Sequence, residues 1–82
     1  MIENVIVTVV AEELGFSADM ELPAQFPIGK LSVMLLEALK EIDSEKFGEV
    51  EEISLMCDGE ALPGDATLES EAVWDGKVLM VR

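Results

Sequence analysis

Met20-Glu21-Leu22-Pro23-Ala24-Gln25-Phe26-Pro27-Ile28-Gly29-Lys30-Leu31 is the stretch in which the apolar period changes. Up to Leu22 apolar and acidic side chains alternate, the period of a half-buried strand. From Ile28 onward the apolar residues recur at three and four positions, through Leu31, Leu35, Leu39 and Ile42, and line one face of a helix. Two prolines mark the change. Pro23 lacks an amide donor and stops the strand, while Pro27 suits a first helical turn, where its missing N–H would have no partner anyway. The usual Ser, Thr, Asp or Asn cap is absent just before it. A strand, a proline-bounded corner and a helix over about residues 28–42 form the centre of the fold.

Residues 5–10, Val-Ile-Val-Thr-Val-Val, are β-branched throughout and read as a strand, with Val5, Val7 and Val9 on one face and Ile6, Thr8 and Val10 on the other. Thr8 makes the second face the outer one. A polar connection around residues 12–17 joins it to residues 18–22 as a hairpin with a loop longer than two residues. Beyond the helix, residues 43–52 are acidic and contain Gly48, so a solvated loop is expected there. Ile53-Ser54-Leu55-Met56-Cys57 reads as a strand. Asp58-Gly59 is a hairpin turn into the short Glu60-Ala61-Leu62, because both residues tolerate positive φ. Thr67-Leu68-Glu69 reads as a local helical turn, and Trp74-Asp75-Gly76 turns the chain into a last strand, Lys77-Val78-Leu79-Met80-Val81. One helix on a small mixed sheet of four to five strands hides the apolar face of each, an α+β architecture. Val78 and Met80 are expected to join Val5, Val7, Val9, Met20, Leu22, Leu55 and Cys57 beneath the helix, with Leu79 and Val81 pointing outward.

With 82 residues, 50% of them apolar, the chain is expected to form one domain, residues 1–82, with a single core. No apolar run approaches the ~18 residues a membrane span needs, so direct membrane insertion is not expected. Eighteen acidic residues against five basic ones give a formal net charge of −13. Such a field repels phosphate backbones, which argues against nucleic-acid partners and leaves basic protein surfaces open. Met1-Ile2-Glu3-Asn4 has no basic segment and no cleavage site follows, so a cytoplasmic location is expected. The single Cys57 excludes an intramolecular disulfide and falls at a core-facing strand position, where a thiol is inert.

Enzyme chemistry finds no footing. There is no histidine, no phosphate-binding Gly-Lys-Ser/Thr loop and no nucleophilic serine motif. Glu49, Glu51 and Glu52 lack a calcium-loop spacing and read as a solvated acidic loop. No catalytic residue, cofactor or metal is expected.

The junction at Met20–Leu31, together with Asp58-Gly59-Glu60-Ala61-Leu62, Thr67-Leu68 and Asp75-Gly76-Lys77-Val78-Leu79, resembles the ubiquitin-like superfamily. Within it the chain is similar to the YukD/EsaB group associated with bacterial type VII (ESX/WXG-type) secretion. The resemblance covers nearly the whole chain and implies a β-grasp fold. Ubiquitin and the sulfur carriers act through a flexible Gly-Gly carboxylate, but Val81-Arg82 stand at the corresponding place, so conjugation and sulfur carriage are not expected. The YukD/EsaB group likewise lacks that tail, and a related domain is fused to a membrane component of mycobacterial-type systems. The resemblance implies a non-conjugated accessory or regulatory protein that contacts a cytosolic part of the secretion machinery. It also places ubiquitin's outer apolar patch at Met56 and Val81, with Leu79 added and Ile6 and Val10 extending it. Trp74 reads either as a lid on the core edge or as an exposed anchor. The alternative is an interaction subunit of an unrelated multicomponent complex, since this fold hosts many roles.

Overall fold

The computed structural model describes residues 3–82. The reading of no leader at Met1 and Ile2, and the first two residues of the expected 1–82 unit, lie outside that range. Strands β1 (Asn4–Ala11) and β2 (Phe16–Pro23) form an antiparallel hairpin paired from Asn4 with Pro23 to Ala11 with Phe16. Both strands extend beyond the predicted bounds. A 3-10 turn over Glu12–Leu14 and Gly15 at φ 65° shorten the connection, because glycine takes this left-handed conformation without a Cβ clash. Helix α1 (Ile28–Ile42) follows the proline corner, then a one-turn helix α2 (Ser44–Phe47). Strands β3 (Leu55–Cys57), β4 (Glu60–Ala61) and β5 (Val78–Val81) complete a five-stranded sheet in the order β2-β1-β5-β3-β4. β5 lies parallel to β1 at its centre, and the other pairs are antiparallel. This is the ubiquitin-like β-grasp arrangement.

The start of α1 explains how a helix manages without a capping side chain. Pro27 occupies the cap position and makes no side-chain cap bond. Instead the Ile28 and Gly29 amides donate to the carbonyls of Ala66 and Gly64, at 2.8 and 2.9 Å. A turn distant in sequence therefore satisfies two of the donors that a helix start leaves open. Gly29 permits this approach, since a Cβ there would stand 3.4 Å from the Gly64 oxygen.

Val5, Val7 and Val9 face Leu31, Leu35 and Leu39 in the core, as their periodicities require. Ile42, at the end of the predicted stripe, is instead 56% exposed. The core at that end is closed by Phe47, which is 0% exposed and meets Phe16 edge-on with ring centroids 5.2 Å apart. Residues 43–52 are thus not simply a solvated loop. Asp43 accepts a 3.1 Å hydrogen bond from the Lys46 amide and starts α2, and Lys46 Nζ donates to the Leu14 carbonyl at 2.9 Å. Together they hold Phe47 inward. The Asp58-Gly59 turn forms as read, with φ of 53° and 81° joining Cys57 to Glu60.

The last strand has the opposite phase to the one expected. Leu79 and Val81 are buried, at 0% and 6% exposure, whereas Val78 is 45% exposed and Met80 half-buried. Pairing gives the reason. Leu79 lies beside Val9 and Val81 beside Leu55, both inward-facing residues, while Val78 lies beside Thr8. Neighbouring residues in register share a face, so Leu79 and Val81 belong to the core.

Candidate protein-interaction surface

The outer face of the sheet carries an apolar surface assembled from four strands. Register puts Val10, Met80, Met56 and Ala61 in one row across β1, β5, β3 and β4. Val78 lies next to Thr8, and Ile6 two residues further along the same face of β1. Ile6 is 53% exposed; Val10, Met56 and Met80 are half-buried. Of the residues the sequence nominated, Ile6 and Met56 are on this face and Leu79 and Val81 are not. Val78 and Met80 replace them.

Trp74 is exposed and sits in a turn fastened to Ile6. The Ile6 amide donates to Asp75 Oδ1 at 2.7 Å, the Gly76 amide donates to the Ile6 carbonyl at 2.9 Å, and the Lys77 amide donates to the Trp74 carbonyl at 3.1 Å. Gly76 at φ 88° makes the turn possible. The Gly76–Ile6 bond, with the Thr8 amide's 3.0 Å bond to the Lys77 carbonyl, continues the β1–β5 ladder past the start of β5, while the Lys77–Trp74 bond closes the turn and brings the indole's turn to the end of the patch near Ile6.

Charge borders the apolar row. On β2, Glu21 pairs with Ile6 and Asp19 with Thr8, whose hydroxyl donates to Asp19 Oδ1 at 2.7 Å. Beside Val78, Lys77 Nζ meets Asp58 Oδ2 at 2.9 Å, in an exposed pair worth little stability. Asp58 raises the Lys77 pKa, first through this hydrogen bond and then through its charge. An apolar centre with a mostly acidic border suits recognition of a protein with apolar and basic groups.

Cys57 is buried, and burial, reinforced by Asp58 and opposed by Lys77, pushes its thiol pKa up. A protonated, covered thiol is a poor nucleophile. Among the described residues no three His, Cys, Asp or Glu side chains gather as a metal site, and no helix is long and apolar enough to cross a membrane. A separate groove of about 380 Å³ lies between α1 and residues 51–53, with Val33, Leu36 and Ile53 among its lining residues. At the other end of the sheet, Arg82 exchanges two backbone hydrogen bonds with Ser54, at 2.8 and 3.0 Å, so this residue is held by β3's approach.

The same fold occurs in solved structures of mycobacterial secretion proteins. The ubiquitin-like domain of the Mycobacterium tuberculosis type VII secretion system protein EccD1 matches with a TM-score of 0.74 and 20% identity, covering 98% of each chain. The EccD5 ubiquitin-like domain from Mycobacterium xenopi gives 0.79 and 20%, covering 99% of this chain and 94% of that one. A component of the MycP5-free ESX-5 inner membrane complex gives 0.80 and 27% over 99% of this chain but 21% of its own, so the present chain spans about a fifth of that component's length. No curated protein sequence matches the chain. The family model described as "WXG100 protein secretion system (Wss), protein YukD" matches residues 4–81, and with the fold in agreement, the chain belongs to the YukD family.

Proposed function

We propose that this protein is a non-catalytic, non-conjugated accessory or regulatory subunit of a bacterial type VII secretion system. It forms a single domain, works in the cytoplasm, and binds a component of that machinery across the outer face of its sheet. The observation that carries the reading is the apolar row Val10–Met80–Met56, with Ile6 and Val78 exposed beside it, on a chain of net charge −13. Exposed aliphatic side chains grouped on one face of a strongly charged small protein favour an interface, where their burial supplies affinity and the acidic border supplies steering.

An Ile6→Lys/Val78→Lys double variant tests the reading in cells that carry the secretion system. Lysine avoids adding to the negative charge and puts a hydrated cation where apolar burial is required. Secretion of WXG100-type substrates is expected to fall to the level of a strain lacking this protein, while the purified variant keeps its circular dichroism spectrum. Normal secretion by the folded double variant would reject the outer face as the working surface.

A further inference from the structure

β2 forms one edge of the sheet, with β1 as its sheet neighbour. On β1, the Ile6 and Thr8 amides donate toward the β5 side, to Asp75 and Lys77, at 2.7 and 3.0 Å. The backbone groups of Val5, Val7, Val9 and Ala11 must then face β2, where their partners are Leu22, Met20, Ala18 and Phe16. The 2.9 Å bond from the Ala24 amide to the Glu3 carbonyl continues the same parity. The N–H and C=O groups of Ser17, Asp19 and Glu21 therefore point away from the sheet. Pro23 presents a carbonyl and no donor, which limits the open ladder to Ser17–Glu21.

Side chains along this edge define what could pair with it. Ser17, Asp19 and Glu21 stand exposed on the outer face, whereas Ala18 and Met20 are half-buried on the inner face against the core. A second copy of β2 laid antiparallel would bring carboxylates beside carboxylates, a destabilising cross-strand arrangement. A strand with cations on one face and apolar side chains on the other meets complementary chemistry at every position. We propose that the β2 edge is a docking site for an extended segment of another protein, added antiparallel as a sixth strand, with Lys or Arg alternating with aliphatic residues. The backbone ladder provides the attachment, the Asp19 and Glu21 carboxylates select basic side chains, and Ala18 and Met20 receive the aliphatic ones. This edge adjoins the outer apolar row, whose border Asp19 and Glu21 also form, but its attachment runs through backbone groups and does not need the row.

The experiment uses the whole chain and a blocked heptapeptide, acetyl-Lys-Val-Lys-Val-Lys-Val-Lys-amide, at low salt. Amide hydrogen exchange at Ser17, Asp19 and Glu21 is expected to slow at least tenfold on binding. In the antiparallel register the lysine N–H groups face β2. Peptide N-methylated at the nitrogens of its two interior lysines should therefore bind at least tenfold more weakly, and peptide N-methylated at two of its valine nitrogens should retain affinity. Glu21→Lys, at an exposed position, should also weaken binding tenfold without lowering the urea midpoint. Absence of binding, equal loss with both N-methylated peptides, or protection elsewhere on the protein would overturn the proposal. So would slowed exchange at the three amides in concentrated protein alone, which would assign the edge to a second copy.

Discussion

Adjacent residues on β5 have opposite environments, and this separates stability from recognition. Leu79 is fully covered between Val9 and the rest of the core, while Val78 stands on the outer face beside Thr8. Placing lysine at position 79 either buries an unpaired charge or forces the strand open, so Leu79→Lys is expected to cost at least about 3 kcal/mol. Val78→Lys should cost less than about 1 kcal/mol, which urea unfolding of both variants measures. Cys57 gives a pH-dependent prediction at the same scale. Its native pKa is raised by burial above the ordinary 9.0, so above that pH the unfolded chain binds fewer protons than the native one. Stability contributed by the neutral thiol is complete below pH 9.0 and falls as the pH rises through its native pKa. Cys57→Ser should flatten this part of the stability–pH curve. Equal slopes for the two proteins would contradict the buried thiol.

The elements differ in how clearly they were written in the sequence. β1 was legible because six consecutive β-branched residues favour a strand, and Thr8, the one polar side chain among them, marks which face is outer. α1 was legible because its apolar positions follow the helical period for three turns. β5 was not, since four consecutive apolar residues have no period, and its phase is set by parallel pairing with a strand about seventy positions away. The apolar surface could therefore be assigned to the sheet from the sequence, but both residues chosen for it on β5, Leu79 and Val81, were one position out of phase. α2 was also hidden. A single turn cannot display a period, and Phe47 is surrounded in sequence by charge; only its contact with Phe16 and the Lys46 bond to Leu14 show that it closes the core. Phe47→Ala should cost about 3–5 kcal/mol, comparable with about 2–5 kcal/mol for Leu35→Ala at the centre of α1. A loss below about 1 kcal/mol in chemical denaturation of either variant would contradict its place in the core.

Across the whole molecule, charge opposes compactness while directing association. The chain measures 36 × 22 × 22 Å, so at about 10 mM salt, where the screening length is about 30 Å, most of its acidic groups repel one another. Raising sodium chloride to about 0.5 M shortens that length well below the molecular diameter and is expected to raise the melting temperature. Among the described residues the Lys77–Asp58 pair is the one ion pair that screening weakens, and it is exposed. An unchanged or lower melting temperature would show that local charge contacts outweigh the general repulsion. The same negative field makes encounter with a basic partner faster at low salt, while the apolar row determines which surface stays in contact. Site-specific photo-crosslinking in cells with an active type VII system tests that central claim most directly, with a photoreactive residue at Val78 on the outer sheet face or at Val33 on the exposed side of α1. Position 78 is predicted to crosslink to a component of the secretion machinery and position 33 not to; crosslinking from position 33 alone, or from neither, would contradict recognition across the sheet.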